Sequence, residues 1–264
     1  METTIQKTYV PNLRQVSRSL LVDLYFKAKE TRENGIIRDY AAVDIVDRLK
    51  YDFSPFDADR KTQNQIAVRT EILDEITSEY ISSTPLPVIV NLGAGLDTRH
   101  IRFGQAKWYQ LDFEETINLR NLFFGDDSVN IPRNILDFYW INEIREKQDV
   151  LFIIEGTLQF LEPYKVKAIF REIAENFTNS LITFDTIPKS YINLTGHKSY
   201  NLNLSPFRWG NHSESEIEEW SAGLKAHNHY HFLSRHKEKW RSQCLEALFP
   251  NIYNGLKVAV IKVN

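Results

Sequence analysis

Apolar residues recur along this chain with two different spacings. From Val88 to Leu92 they are almost continuous, in a run too short for a buried helix and bounded by Pro87 and Gly93, which predicts a buried strand. Over Pro163–Asn176 they fall instead at Val166, Ile169, Phe170 and Ile173, with Phe177 one turn on. This is the spacing of a helix with one face on a core and a proline in its first turn. The same two spacings predict helices over 13–31, 40–49 and 60–82, the last with Ile66, Leu73, Ile76 and Tyr80 on one face. Beyond them, strands over 88–92, 107–113, 130–136, 150–155 and 180–187 alternate with helices over 114–124, 138–146 and 163–176, and a last strand covers 257–263. Strand and helix in alternation predict an α/β fold on a mostly parallel sheet.

The domain plan follows from this pattern. One domain of 264 residues is expected, with a helical cap over 1–84, a cofactor-binding core over 85–187, a lid or substrate insertion over 188–225 and closing strands over 226–264. The insertion starts at Pro188 as a long polar connection rich in Asn, Ser and Tyr, and loops of that length are usually functional or disordered. With 42% hydrophobic and 25% charged residues the composition is that of a globular protein, and a net charge of -3 with no dense Lys/Arg run argues against a nucleic-acid partner. The single cysteine, Cys244, excludes an intramolecular disulfide and a cysteine-based zinc cage. No apolar stretch approaches the roughly 20 residues of a membrane span, and Met1-Glu-Thr-Thr-Ile-Gln-Lys lacks an apolar signal core, so a cytoplasmic protein with no membrane contact is expected.

Candidate chemistry begins at Gly93-Ala94-Gly95, straight after the first strand, where the backbone turns tightly and a nucleotide-like cofactor comes close. A dinucleotide fingerprint would place a third glycine where Thr98 stands, which argues against NAD and FAD. S-adenosylmethionine has no pyrophosphate and does not need that bare helix start. Asp112, ending the next strand, suits a pair of ribose hydroxyls. A buried methionine carboxylate requires a cation, and Arg69 and Lys27 in the preceding helices are candidates; taken alone, each reads equally as a solvated helix charge. His227, His229 and His231 alternate in His-Asn-His-Tyr-His-Phe, but no spaced fourth ligand accompanies them, and a polar surface strand is expected there rather than a metal site.

The segments LYFKAKET, IIRDYAAVDIVDRLKYDF, IAVRTEILDE, VNLGAGLDTRHIR, WYQLDFEETINLR, LFIIEGTLQFLE, FDTIP and PFRWG occur in this order between about residues 20 and 220. Together they resemble the leucine carboxyl methyltransferase family, and within it the bacterial polyketide-type O-methyltransferases. The resemblance implies a Rossmann-like class I methyltransferase fold, a seven-stranded mostly parallel sheet with its last strand antiparallel. It implies that Lys27 and Arg69 hold the methionine carboxylate, that Gly93, Ala94 and Gly95 flank the methionyl chain, and that Asp112 holds the ribose. Asn134 and Ile135 stand where relatives carry Asp-Leu beside the adenine, and Glu155 stands near the sulfonium and amino group.

Such an enzyme mainly aligns an acceptor oxygen with an already electrophilic methyl group, and positioning of this kind supplies about 7–11 kcal/mol. A base is needed only when the acceptor is a protonated hydroxyl. Glu155 and Asp185 are the candidate catalytic carboxylates, with a loop cap as the alternative for Asp185. Tyr191, Tyr200, Phe207 and Trp209 suit a flat acceptor, and Arg208 is a candidate lid anchor, unless Trp209 is core with Arg208 stacked on it. The expected activity is S-adenosylmethionine-dependent methylation of a carboxyl or phenolic oxygen of a small molecule. An NAD-dependent oxidoreductase and a non-catalytic cofactor-binding protein of the same fold remain alternatives, and a peptide C-terminus is a less favoured acceptor.

Overall fold

The computed structural model describes residues 8–9, 15–192, 206–211, 213–240 and 249–264; Tyr200 and Cys244 lie outside them, as does much of the expected lid. The chain opens with helices α1 (Gln15–Arg32), α2 (Tyr40–Arg48) and α3 (Arg60–Ser83). Asp39 and Asp59 cap α2 and α3, each side chain accepting a backbone N–H from the first turn. A two-residue parallel ladder joins Thr8–Tyr9 to Leu49–Lys50 beside them.

The sheet consists of β1 (Val88–Leu92), β2 (Lys107–Asp112), β3 (Val129–Pro132), β4 (Val150–Ile154), β5 (Ser180–Thr186), β6 (Leu224–His231) and β7 (Lys257–Val263). Its spatial order is β3-β2-β1-β4-β5-β7-β6. Strands β1 to β5 run parallel, and β7 lies antiparallel between β5 and β6. The strand order reverses at β1, which pairs with β2 on one side and β4 on the other. A crevice therefore opens outside the carboxyl ends of these strands, where ligands bind in sheets of this type.

Shorter helices complete the layers: α4 (Arg99–Arg102), α5 (Glu114–Arg120), α6 (Trp140–Glu143), α7 (Pro163–Asn176), α8 (Ser215–Glu218) and α9 (Pro250–Gly255). On one face of the sheet, Val166, Ile169, Phe170 and Ile173 of α7 pack with Trp140 and Ile217 against β1, β4 and β5, so the predicted stripe is the buried one. On the other face lie Val68, Ile72, Leu73, Ile76 and Tyr80 of α3. The Tyr80 hydroxyl fastens the end of α3 to the start of β1, donating to Val88 O at 3.0 Å and accepting Val88 N–H at 3.1 Å. Helix α3, expected as part of the cap, packs on the sheet through this face and on α1 and α2 through Ile66. A separate apolar cluster joins α1 and α2 to Ile66 of α3 and to Phe56, Leu96, Leu119 and Phe124.

Several predicted elements are shorter than expected. The strand foreseen over 130–136 covers Val129–Pro132, because the chain turns at Asn134, whose side chain accepts Leu136 N–H at 2.9 Å. The helices foreseen over 114–124 and 138–146 shrink to Glu114–Arg120 and Trp140–Glu143. In β6 a bulge at His227 breaks the alternation of the three histidines. The rings of His229 and His231 lie 4.9 Å apart, and His231 Nδ1 meets Tyr253 O at 3.0 Å. Among the described residues, no helix is long and apolar enough to cross a membrane.

Phe170 is fully buried, edge-on to Phe184 and Trp220 at ring distances of 5.2 and 5.5 Å. Phe170→Ala is expected to cost about 3–5 kcal/mol in urea unfolding, whereas a loss below about 1 kcal/mol would mean that this face repacks freely.

Candidate active site

The site is assembled at the carboxyl ends of β1, β2, β4 and β5. After β1 the chain turns through Gly93 and Gly95, with φ of 80° and 52°, in the left-handed region that disfavours side chains. A Cβ on Gly93 would stand 2.3 Å from Thr157 Oγ1, so glycine is also required there for space. The N–H groups of Gly93 and Ala94 both donate to Leu111 O, at 2.8 and 2.9 Å, which holds the turn against the end of β2. One residue on, Asp112 accepts Gly95 N–H at 2.8 Å and Phe113 N–H at 2.7 Å. Burial pushes the Asp112 carboxyl upward against the pull of these two bonds.

Arg120 supports the same turn from below. It is fully buried, donates from Nη1 to Gly95 O at 2.8 Å and to Asp97 O at 3.2 Å, and lies over the Phe124 ring. Burial lowers its guanidinium to about 10. The helix that follows the turn, α4, has only four residues, and Thr98 before it donates its hydroxyl to Asp39 at 2.6 Å. So short a helix offers little of the dipole on which a pyrophosphate would rest.

A buried charge cluster fills the seam between α1, α3 and the strand ends. Arg69, 8% exposed, donates from Nε to Glu155 at 2.9 Å, from Nη1 to Asp185 at 3.2 Å and from Nη2 to Asp23 at 2.6 Å. Arg99 donates to Asp74 at 2.7 Å, Asp97 at 2.9 Å and Glu155 at 2.5 Å. Lys27 Nζ lies 3.5 Å from Glu155 and 3.8 Å from Asp97. Burial works to raise the Glu155 carboxyl, but Arg99, Lys27 and Arg69 outweigh it and hold Glu155 well below the usual carboxylate range. Asp185 is in the opposite state: burial raises it, with Glu155 and Asp23 adding to the rise, and Arg69 and Gly156 N–H offset only part.

Two cavities open on this cluster. The first is lined by Lys27, Gly93, Ala94, Gly95, Asp112, Asn134, Ile135 and Glu155, among others. Eight of the nine residues expected around the cofactor are therefore brought together. The ninth, Arg69, lines the second cavity with Asp185, Tyr191 and Phe207. The other substrate candidates stand elsewhere: Trp209 is core, 5% exposed and packed with Phe184, and Arg208 pairs with Glu162 at 2.9 Å. Trp209 is thus the packed residue of the two alternatives, and its backbone and that of Arg208 hang from Gln159 O.

Sequence reasoning missed Asp23, Asp97, Arg99, Arg120 and Gly156. Asp23 had a signal, since it lies four residues before Lys27 and so shares its helix face. Asp97 and Arg99 lie within the quoted Gly-Leu-Asp-Thr-Arg stretch, although nothing in their spacing shows that their side chains converge on Glu155. Gly156 has a φ of 65°, and a Cβ there would approach Asp23 at 3.4 Å and Arg69 at 3.9 Å.

A family model described as leucine carboxyl methyltransferase matches residues 21–174. The tetracenomycin polyketide synthesis O-methyltransferase TcmP of Streptomyces glaucescens is 22% identical over 242 residues, 86% of this chain and 90% of that protein. The magnesium protoporphyrin IX methyltransferase of Synechocystis PCC 6803, solved with bound SAM, is similar in fold at a TM-score of 0.51 and 12% identity over 96% of this chain and 99% of that one. Its structure with bound SAH gives 0.52 and 13% over 94% and 100%.

Removing the Glu155 charge takes one carboxylate from each of three buried cations that keep their other partners, a loss of at most about 3–5 kcal/mol. Because the folded-state carboxyl titrates below its ordinary value of 4.5, the stabilisation is present above that value and is lost as pH falls toward the folded one. Glu155→Gln is expected to lower the urea midpoint most near neutral pH, with the gap from wild type closing in acid. A gap that widened on acidification would contradict the pairing.

Proposed function

This chain belongs to the leucine carboxyl methyltransferase family, and from that premise we propose that it methylates a carboxyl or phenolic oxygen of a small molecule, with the cofactor in the first cavity and the acceptor in the second. It is an S-adenosylmethionine-dependent methyltransferase of Rossmann-like class I fold. The observation that carries the site assignment is the convergence of eight expected residues on one cavity at the strand-order reversal.

The residues present fit the cofactor. Gly93 and Gly95 leave the floor free of side chains. Asp112 turns its carboxylate oxygens toward two backbone N–H groups and the Thr116 side chain, and acceptor capacity remains for a ribose hydroxyl. Asn134 Oδ1, which already accepts Leu136 N–H, has a second lone pair for an adenine amine. Lys27 is the cation on the cavity wall beside Glu155 and suits the methionine carboxylate, and Glu155, held ionised, suits the ammonium; Arg133, on the same wall, pairs with Asp137 and Glu143. Arg69 stands behind the first cavity's wall and fixes Glu155, with its other bonds going to Asp185 and Asp23. Bound, the cofactor supplies an electrophilic methyl group on a sulfonium. The chain then has to aim that group across the seam and exclude water.

Two measurements test this. Calorimetric titration with S-adenosylmethionine, S-adenosylhomocysteine and NADH should give binding of the two adenosyl ligands alone, while binding of NADH alone would restore the oxidoreductase reading. Asp112→Ala should weaken S-adenosylhomocysteine by about 10- to 100-fold, the worth of hydrogen bonds to a charged group, without lowering the melting temperature by more than a few degrees. Unchanged affinity would remove Asp112 from the ribose site.

A further inference from the structure

The second cavity lies along one face of α3. Lys61, Gln65 and Arg69 line it at intervals of four residues, so they form a row on that helix, and at 1.5 Å per residue the row is about 12 Å long. Arg69 marks the end at the seam, where Asp23 and Gly156 line both cavities and a transferred group must cross. We propose that Lys61 and Gln65 form a second recognition point for the acceptor, an elongated molecule that carries an anionic group about 12 Å from the oxygen that is methylated. This rests on assigning the second cavity to the acceptor.

The first support is the distribution of charge. Asp23 and Asp185 are balanced on the wall by Arg69 and Lys61. Three of these four are bound to one another at the seam, where Arg69 donates to Asp23 at 2.6 Å and to Asp185 at 3.2 Å, and Gly156 N–H donates to Asp185 at 2.6 Å. Lys61 stands two helical turns away from them along α3. An ammonium carries three donors, so Lys61 can take a ligand anion beside the interaction it already makes. Thr62, next to it, is committed to the helix cap, its hydroxyl donating to Asp59 at 2.6 Å. The Lys61 ammonium and the Gln65 amide are therefore the donors with which α3 meets this end of the cavity.

The second support is the apolar remainder of the wall. Val22, Ile66, Phe160, Phe207 and Phe232 line the cavity, with Ile66 between Gln65 and Arg69 on α3 and the rings of Phe160 and Phe207 5.5 Å apart. Such a wall holds a flat or extended apolar body but gives it no direction, because either end of the body can lie at the seam. A cation fixed at one end removes that ambiguity. An anion held by Lys61 sends the opposite end of the acceptor to Arg69, Asp185 and Gly156, toward the methyl donor. Binding energy from a remote group is then used to orient the reacting oxygen. An acceptor too short to span the row obtains the apolar contacts without the orientation.

The test uses the full-length protein saturated with S-adenosylhomocysteine and two pairs of acids: biphenyl-4-carboxylate with biphenyl-4,4′-dicarboxylate, and benzoate with terephthalate. In calorimetry the second carboxylate should tighten binding of the long acid about tenfold, the worth of one charge-assisted hydrogen bond. It should improve the short acid less than about threefold, because terephthalate does not reach Lys61 from the seam. Lys61→Met should reduce the tenfold preference to below about threefold, and Lys61→Arg, which keeps the charge, should retain it. Equal binding of the two biphenyl acids, an equal gain for terephthalate, or a preference that survives in Lys61→Met overturns the distal site. The wild-type comparison decides this even where a variant fails to fold. Binding of neither biphenyl acid overturns the assignment of the second cavity to the acceptor, and this proposal with it. Failure of S-adenosylhomocysteine itself to bind overturns the cofactor assignment, a result distinct from any of these.

Discussion

Arg69 is the point on which the site depends. One guanidinium from the middle of α3 reaches Asp23 on α1, Glu155 beyond β4 and Asp185 near the end of β5, so three separately folded segments are tied by one planar fork. Burying that cation is unfavourable in itself, and only the carboxylates around it keep it charged, well above its ordinary range. The cluster is therefore mutually obligatory: each member is tolerable in the interior only because the others are there. Helix α3 can lie flat on the sheet because its polar intrusion at Arg69 is met in full.

From this arrangement follows a division of labour between two carboxylates. Glu155 and Asp185 end neighbouring parallel strands and share the same arginine, yet their environments drive them apart. Glu155 has three cations around it, while Asp185 has one and faces two like charges. The glycine turn contributes differently, by what it lacks: without side chains at 93 and 95 the cofactor side remains open, and Arg120 and Asp112 hold the turn from opposite sides by its own C=O and N–H.

The centre of the sheet was legible because β1 and β4 are buried through both faces and the long helices repeat their apolar residues at three and four. The positions of Asp112 and Glu155 were legible because each ends such a strand. Elements shortened where a local side chain overrode the apolar pattern, as Asn134 does after β3. The seam could not be read, because nothing in a linear pattern says that Asp23, Arg69, Arg99 and Asp185, spread over more than half the chain, converge on Glu155. Trp209 illustrates the converse: an aromatic in a loop-like stretch reads as a substrate contact until the core beneath it is seen.

Strand β7 enters the sheet between β5 and β6, although it follows both in sequence. The residues named around the first cavity end at Thr157, whereas the wall of the second includes Phe232 and Leu256, the latter immediately before β7. A chain emerging vectorially therefore has the described wall of the first cavity long before that of the second is complete. The order in which the two compartments are built is written into the topology, and the second exists only once the last strand has been inserted.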